Sequence, residues 1–337
     1  MIIAVDAAGG DYAPHEVVKG ALNAAKEFGI EVALVGRRSV LHVLTGRSSR
    51  QSGVTIIDAS QVIDYDESPI KALQAKPNSS IVVGINLIKS GGASAFVSAG
   101  NTGAVVAASL LTLGKAKGVS RPAIGCFLDT ISSVPPLLVD AGANSDCRAK
   151  HLLEFARLGS QYSQNILKIP SPRVGLLSNG TEDGKGNRLI HETYKLLKKA
   201  KDINFFGNIE GHDITNRTVD VIVTDGFTGN IVLKTAEGYS DNFLTSVRQI
   251  GRVFSSASSV RGRDLLRDIG LESWIEKLDY TEYGGACLLG INGNVIIAHG
   301  RSKARAIKNA IGLAKETVER NITEIAEEEN DEQTSGD

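Results

Sequence analysis

Short apolar runs alternate along the chain with longer segments of helical periodicity. The apolar runs, each bounded by Gly, Asp or Asn, predict β-strands at residues 2–5, 32–35, 55–57, 95–97, 137–139, 173–177, 219–223 and 295–298. The periodic segments predict helices at residues 15–28, 68–90, 102–114, 149–166, 186–200, 231–254 and 302–328. This alternation predicts an α/β fold of three α/β/α layers, Rossmann-like, around a mostly parallel sheet.

The chain shows no internal repeat and no Pro- or Ser-rich linker that divides it. We therefore expect a single α/β catalytic domain over residues 1–323, followed by an acidic tail over residues 324–337. With 337 residues, 42% of them hydrophobic, and 36 glycines, the composition excludes disordered, collagen-like and coiled-coil proteins.

The cysteines and the amino-terminal residues indicate the cellular compartment of the protein. Cys126, Cys147 and Cys287 have no paired spacing, which favours a reducing cytosol over a disulfide framework. The opening residues 1–6 are typical of a first strand rather than a signal peptide. Glycines and polar residues break the longest uncharged stretch, residues 90–114, so a membrane-spanning helix is not expected. The sequence predicts a cytoplasmic protein.

Charge is unevenly distributed along the chain. The formal net charge is -1, but residues 324–337 contain seven acids and no base, so the rest of the chain carries +6. A mildly basic body suits an anionic substrate or an acidic carrier protein, although ordinary surface charge gives the same balance. No nucleic-acid partner is expected.

A basic amphipathic segment lies at about residues 240–278. Apolar side chains such as Phe243 and Val247 recur at helical spacing beside Arg248 and Arg252. Two interpretations stay open: the segment packs its apolar stripe on the domain or on a dimer mate, or it rests on anionic lipid.

The residues that follow the predicted strands combine glycine with Asp, Asn, Ser or Thr. They form loops at residues 6–11, 98–103, 140–144, 178–187 and 224–230. Ligands of parallel sheets bind beyond the carboxyl ends of the strands, where exposed backbone N–H groups and helix N-termini hold oxyanions such as phosphate. Singly, each loop is better explained as a tight turn; together the five loops favour an anion or acyl-transfer site. No GxxxxGK[ST] motif occurs and no GxGxxG follows the first strand, which argues against an NTPase and a dinucleotide site.

Three side chains in or near these loops are candidates for catalysis. Lys185 is a cation in a glycine-rich loop, able to meet phosphate or a developing oxyanion, or simply a solvated lysine. Asn230 could donate its amide to a carbonyl oxygen, or could cap the helix predicted from residue 231. His15, at a helix start, is a candidate acid, base or phosphate donor, or a surface residue. The six histidines lack paired ligand spacing, so no metal is expected, and neither Cys147 nor Cys287 has the signature of an activated thiol.

Taken in order, the loop motifs resemble the phosphate acyltransferase family of the PlsX type, from residue 6 to about residue 310. The motifs that carry the resemblance include Asp6-Ala7-Ala8-Gly9-Gly10-Asp11, Ser98-Ala99-Gly100-Asn101-Thr102-Gly103, Asp140-Ala141-Gly142-Ala143-Asn144, Gly184-Lys185-Gly186-Asn187 and Thr224-Asp225-Gly226-Phe227-Thr228-Gly229-Asn230. The chain departs from the family pattern at Ala8, Gly184 and Cys287, which affects packing more than chemistry.

The resemblance implies transfer of a long acyl chain from acyl carrier protein to inorganic phosphate, which gives an acyl phosphate for phospholipid synthesis. It implies no cofactor, a homodimer with a fold similar to isopropylmalate dehydrogenase and phosphotransacetylase, and peripheral contact with the inner face of the membrane, where a glycerol-phosphate acyltransferase takes the product. Lys185 and Asn230 fall on the motif positions expected to matter most. The resemblance places substrate-binding positions at Asp6, Gly9, Gly10, Asn101, Thr102, Gly103, Asn144, Asn187, Asp225 and His299.

Chemistry favours direct attack of phosphate on the thioester, because phosphate is already anionic and a thiolate leaves readily. Three alternatives stay open: a phosphotransacetylase-like enzyme that uses acyl-CoA, an NAD-dependent dehydrogenase of the same fold, and a non-catalytic scaffold on the membrane.

Overall fold

A computed structural model of the chain describes residues 1–46, 53–128, 135–257 and 284–320. Its strands, numbered along the chain, are β1 Ile2–Asp6, β2 Glu31–Gly36, β3 Val54–Asp58, β4 Ala95–Ser98, β5 Ala123–Phe127, β6 Leu137–Val139, β7 Val174–Leu177, β8 Phe205–Ile209, β9 Val221–Val223, β10 Ala286–Leu289 and β11 Asn294–Ile297. Its helices are α1 His15–Phe28, α2 Arg38–Thr45, α3 Pro69–Ala75, α4 Ser80–Lys89, α5 Thr102–Thr112, α6 Ala149–Ile166, α7 Arg188–Leu197, α8 Gly211–Asn216, α9 Gly226–Ala257 and α10 Ala304–Glu319. The predicted α/β class with a mostly parallel sheet is confirmed.

The chain forms two compact units. Unit 1 comprises Met1–Cys126, Gln161–Pro170 and Tyr283–Asp337, and unit 2 comprises Phe127–Ser160 and Ser171–Glu282. The expectation of one catalytic domain over residues 1–323 stays a prediction.

In unit 1 the strands are hydrogen-bonded in the order β3-β2-β1-β4-β11-β10-β5. Strand β10 is antiparallel to both of its neighbours, whereas β1, β4 and β11 are parallel to one another, with Val5 opposite Val97 and Val97 opposite Ile296. The carboxyl ends of β1, β4 and β11 therefore lie side by side. The helices pack in two groups, α1 with α10 and both α3 and α4 with α5, and β1 contacts a helix of each group.

In unit 2 the strands follow the order β6-β9-β7-β8, and all of these pairs are parallel. Every residue of β6, β7 and β9 is buried, which explains why these strands are continuous apolar runs rather than alternating ones. Parallel pairing places the loops that follow β6, β9 and β7 at one edge of this sheet.

Some predicted elements differ from the observed ones. Strands β5, β8 and β10 and helices α2 and α8 were not predicted; β5 and β8 contain a central glycine that interrupts the apolar run. The helix expected over residues 68–90 is two helices, because Pro77 excludes the helical conformation at Lys76, where α3 ends. Helix α9 begins at Gly226 rather than at residue 231.

Part of the predicted chain lies outside the described residues. The basic amphipathic segment at about 240–278 is described only as the backbone of α9 to Ala257, and the acidic tail at 324–337 falls wholly outside. Within the described ranges, none of the helices combines the length and the apolar character needed to cross a membrane.

Candidate active site

Asp6 shapes the first strand-end loop of unit 1. It is the last residue of β1 and is 1% exposed. Its Oδ1 accepts hydrogen bonds from the backbone N–H groups of Ala8 and Gly9, both at 3.0 Å, and its Oδ2 accepts one from Ser98 Oγ at 2.7 Å. Burial raises the pKa of Asp6 above its usual value, and the hydrogen bonds to the carboxylate act in the opposite direction. This carboxylate joins the loops that follow β1 and β4.

Three strand-end loops of unit 1 meet in direct contact. Gly9 packs against Gly100, since a Cβ at Gly9 would lie 2.7 Å from the Gly100 nitrogen. Gly10 has a φ of 112°, which favours glycine, and the next residue, Asp11, donates its N–H to the Gly300 carbonyl at 2.8 Å. The predicted positions Gly9, Gly10 and His299 therefore belong to one cluster of loops. His299 is half-buried there, and its Nδ1 accepts the Arg301 N–H.

Both polar atoms of the Asn101 side chain form hydrogen bonds that hold the loop cluster together. Its Oδ1 accepts the Ala104 N–H at 3.0 Å, which caps α5, and its Nδ2 donates to the carbonyl oxygens of Asp64, Tyr65 and Glu67. Thr102 and Gly103, by contrast, are exposed in the first turn of α5, where backbone N–H groups lack helical partners. These two residues, rather than the Asn101 side chain, are placed to meet an anion.

Tyr65 joins this cluster and was missed in the sequence. Its hydroxyl donates to the Ala99 carbonyl at 2.6 Å, while the residue as a whole is 53% exposed. Burial of the hydroxyl, with the nearby charges of Asp11 and Asp6, raises the pKa of Tyr65 to about 12. No signal could have found it, because Tyr65 follows no predicted strand end and its contact depends on tertiary structure.

Asp140 in unit 2 repeats the arrangement of Asp6. It directly follows β6, is fully buried, and its Oδ1 accepts the N–H groups of Gly142 and Ala143 at 3.1 and 3.0 Å. Its Oδ2 accepts both the N–H and the side-chain Nδ2 of Asn144, each at 2.8 Å. The predicted site residue Asn144 thus closes the 140–144 loop around Asp140. The signal for Asp140 was an acid placed directly after a buried strand and before small residues, the same pattern as at Asp6.

Helix α9 begins against this loop. Gly226 donates its N–H to the Asn144 carbonyl at 2.8 Å, and a Cβ at Gly229 would collide with the Asp140 carbonyl. Asp225 caps the helix: its Oδ1 accepts the Thr228 N–H and its Oδ2 accepts the Thr228 hydroxyl. The interpretation of Asn230 as a helix cap is therefore wrong, because Asn230 lies inside α9.

The Asn230 side chain faces the 140–144 loop. A Cβ at Gly142 would lie 3.5 Å from the Asn230 Cβ and 3.6 Å from its Oδ1, so the two residues are neighbours, and the φ of 140° at Gly142 favours glycine there. Asn230 is exposed. Its amide is placed to donate to a group bound beside this loop.

Lys185 lies in the loop between β7 and α7, which shares its sheet edge with the loop after β9. Its side chain is exposed and its Cγ and Cδ lie over Gly180. Among the ion pairs of the described residues, none involves Lys185, whereas the neighbouring Asp183 pairs with Lys198 at 2.8 Å, which with Tyr194 lowers the pKa of Asp183. Asn187 caps α7 by accepting the Ile190 N–H at 3.1 Å. The Lys185 ammonium is therefore available to an anion.

The remaining candidates are His15 and the cysteines. His15 is the exposed first residue of α1 and bonds to no other described side chain. Cys287 is buried, lies 2.9 Å from the Tyr162 hydroxyl, and burial raises its pKa to about 12, so its thiol is protonated at neutral pH. The described residues include no group of three or more His, Cys, Asp or Glu side chains suited to a metal ion.

Comparison with solved structures shows which known fold the chain shares. A phosphotransacetylase from Streptococcus pyogenes superposes with a TM-score of 0.62 at 19% identity, covering 95% of this chain and 94% of that one. A branched-chain phosphotransacylase from Enterococcus faecalis gives a TM-score of 0.56 at 14% identity, covering 94% of this chain and 99% of that one. At these identities the likeness shows the fold alone, and it agrees with the fold expected from the sequence.

Comparison of sequences goes further. The phosphate acyltransferase of Dehalococcoides mccartyi is 53% identical over 329 residues, which are 98% of this chain and 94% of the relative. The phosphate acyltransferase of Desulforamulus reducens is 46% identical over 332 residues, which are 98% of each chain. The predicted class, an acyltransferase enzyme, is confirmed by these relatives over the dehydrogenase and scaffold alternatives. Because the model of the fatty acid synthesis protein family also matches residues 1–325, the chain belongs to that family.

Proposed function

We propose that the chain transfers a long acyl chain from acyl carrier protein to inorganic phosphate and releases an acyl phosphate. The observation that carries this proposal is the 53% identity over 329 residues to a protein named phosphate acyltransferase. The carrier protein and the long acyl chain come from the resemblance of the loop motifs.

In the proposed reaction a phosphate oxygen attacks the carbonyl carbon of the thioester. The new carbon–oxygen bond forms, the carbon–sulfur bond breaks, and the thiolate leaves with the electron pair and takes up a proton. Such a reaction needs no enzymic nucleophile, so the protein has to align the reactants and stabilise the charge that develops on the carbonyl oxygen.

Two exposed polar side chains of unit 2 suit the two negative charges of this reaction, which lie on the phosphate and on the developing oxyanion. Lys185, which has no ion-pair partner among the described residues, would neutralise the phosphate. Asn230, beside Gly142, would donate its amide to the thioester carbonyl as it becomes an oxyanion. Three other predicted positions would act indirectly, because their side chains hold the loops and helix starts in place: Asn144, Asn187 and Asp225.

The loop cluster of unit 1 suits an anion. Gly10, Thr102 and Gly103 would offer backbone N–H groups, whereas the Gly9 N–H is bonded to Asp6 and shapes the loop. The exposed imidazole of His15 would serve as a hydrogen-bond donor or proton donor. The other predicted positions in this unit, Asp6, Asn101 and His299, support this role by fixing the loops through the hydrogen bonds described above.

The test is release of carrier thiol from long-chain acyl-[acyl carrier protein], measured with and without inorganic phosphate. We expect thiol release that depends on phosphate, with acyl phosphate as the product. Equal release without phosphate would mean hydrolysis, and transfer from acyl-CoA but not from the carrier protein would favour the phosphotransacetylase-like alternative.

Direct attack is distinguished from a covalent route by mass spectrometry of enzyme quenched during turnover. We expect no acyl group on the protein, in keeping with the protonated thiol of Cys287. An acyl adduct on Cys147 or on any serine would refute direct transfer.

We further propose that the protein acts in the cytoplasm as a homodimer in peripheral contact with the inner face of the membrane, where it hands its product to a glycerol-phosphate acyltransferase. Exposed apolar side chains in the first half of α9 support this: Phe227, Ile231 and Tyr239 are 62%, 50% and 74% exposed. We expect wild-type protein and Lys185→Ala to float equally with anionic lipid vesicles. A wild-type protein that stays at the bottom of the gradient would contradict the lipid contact.

A further inference from the structure

The surface between α1 and α10 in unit 1 is a groove of about 750 Å³ that concentrates positive charge. Its lining includes five cationic side chains, Lys19, Lys26, Lys303, Arg305 and Lys308, against two carboxylates, Glu16 and Glu27. No residue that we assign to catalysis lies in it. Its charge therefore calls for an explanation other than the chemical step.

Both carboxylates of the groove already have a bonding partner within the protein. Glu16 Oε2 accepts the Ala304 N–H at 2.9 Å and so holds the first turn of α10, and Glu27 pairs with Lys308 at 2.9 Å. Lys19 and Lys26 are exposed and take part in no ion pair with the described residues. Lys303 is also exposed, with its Nζ 5.4 Å from the centre of the Tyr12 ring. The groove thus keeps positive charge that its own acids do not neutralise.

The groove is a preformed feature of packed helices. Gly20 of α1 lies so close to α10 that a Cβ there would be 2.7 Å from both the Ala304 carbonyl oxygen and the Ile307 Cβ. The facing sides of both helices are buried, including Val17 and Ala21 on α1 and Ile311 on α10. Binding at this surface needs no rearrangement of the two helices, which favours affinity.

One end of the groove adjoins the loop cluster of unit 1. Tyr12 immediately follows the 6–11 loop, and Asp11 is bonded to Gly300, three residues before Lys303. A protein seated in the groove would therefore lie beside the loops that we propose for substrate binding.

We propose that this α1–α10 groove docks an acidic helical surface of the carrier protein that presents the acyl thioester. This inference rests on the proposed function. Lys19 and Lys26 stand seven residues apart on α1, roughly 10 Å along its axis, a spacing that matches carboxylates two turns apart on a facing helix. The concave shape and the internal carboxylates suit a protein helix better than a flat, uniformly anionic bilayer.

The test compares two double variants of equal charge change. Lys19→Glu with Lys26→Glu reverses the groove, and Lys89→Glu with Lys201→Glu reverses exposed lysines elsewhere. We expect the groove variant to raise the KM for acyl-[acyl carrier protein] about tenfold, with kcat unchanged and with no effect on a small acyl-pantetheine thioester. The control variant should behave as wild type. An equal rise in KM for both variants, or for neither, overturns the proposal.

Two further measurements keep the result decisive. Lys19→Gln with Lys26→Gln removes the two positive charges without adding negative charge, so it introduces no new repulsion and should give a smaller rise in KM.

If wild-type protein shows no phosphate-dependent thiol release, the proposed function fails by itself. Calorimetric titration with holo-acyl carrier protein then tests the docking separately. Equal affinity of wild type and the Lys19→Glu, Lys26→Glu variant overturns the docking, as does loss of binding to phosphatidylglycerol vesicles in that variant with carrier affinity unchanged.

Discussion

Among the charged side chains of the strand-end loops, two buried acids are hydrogen-bonded within the protein, and one exposed lysine has no ion-pair partner among the described residues. Asp6 and Asp140 are buried and accept several hydrogen bonds each from their own and neighbouring loops. Lys185 is exposed and takes no part in the ion pairs of the described residues. An anionic substrate would meet the positive charge of Lys185 in a loop that also exposes the carboxylates of Glu182 and Asp183, of which Asp183 is paired with Lys198.

Lys185→Ala should lower kcat for phosphate-dependent thiol release about 100-fold, because it removes one donor that stabilises developing charge. The folded structure should persist, since the side chain is exposed. Lys199→Ala changes an exposed lysine two residues beyond α7, and this matched control should keep normal turnover. Steady-state kinetics with circular dichroism provides the check, and near-normal turnover of Lys185→Ala would remove this residue from the mechanism.

Gly9→Ala should destabilise the protein by about 1–3 kcal/mol through overpacking. The added Cβ would meet Asp6 Oδ2 at 2.5 Å and the Gly100 nitrogen at 2.7 Å, so the two loops would have to separate. At Gly184 the same substitution meets nothing within 4 Å, and it serves as the control. Urea denaturation measures both variants; equal stability of Gly9→Ala and wild type would show that the loops do not pack as described.

Between elements, an ion pair with a buried carboxylate joins the residues that precede β7 and β9. Arg173 donates its N–H and its Nε to Asp220 Oδ2 at 2.9 and 3.1 Å. Burial acts to raise the pKa of Asp220, but the hydrogen bonds from Arg173 and the charges of Arg173 and Arg217 together outweigh it, and the pKa lies below the usual value. The pair therefore fixes the register of two parallel strands whose far ends carry the candidate loops.

Asp220→Asn should lower the free energy of unfolding at pH 7 by about 1–2 kcal/mol, a value reduced for the partly exposed Arg173. Since the folded-state pKa is depressed, this stabilisation is present above the unfolded-state pKa of about 3.8 and is lost as the pH falls through the lower folded-state value. Denaturation at pH 7 and pH 3 checks the sign. Glu192→Gln, which breaks only an exposed pair with Arg188, should have little effect at either pH; a loss for Asp220→Asn that grows in acid would contradict the assignment.

At the same scale, the sequence predicts most of the strands that are continuous apolar runs, although it misses the short, fully buried β10, and it fails at β5 and β8, where a glycine interrupts the run. Strands β1, β2, β4, β6, β7 and β9 were predicted within a few residues, because both of their faces are buried. Strand β8 was missed because Gly207 and Asn208 interrupt it. The candidate loops were predicted from their position after strands, but Tyr65 was not, because it reaches Ala99 across 34 positions of sequence.

For the whole molecule, the described fold and the family match both stop short of the carboxyl terminus. Helix α10 ends at Glu319 and the family model at residue 325. Removal of residues 326–337 should leave the Tm within about 2 °C of wild type, as expected for a polar terminal segment that the family model does not match. Truncation from residue 312 would also remove Leu313 and Ala314, which are buried, and should abolish cooperative unfolding. Calorimetry compares the two; a large drop in Tm for the shorter deletion would show that the tail supports the fold.

The turn around Asp140 has a use beyond this protein. All four of the bonds described for its carboxylate come from residues no more than four positions ahead of it. Five consecutive residues therefore supply these bonds, while the start of α9 supports the same corner through the Gly226 N–H bond to the Asn144 carbonyl and the close approach of Gly229 to the Asp140 carbonyl. A protein engineer who transplants that pentapeptide onto another buried parallel strand should therefore graft the glycine-containing helix start together with it.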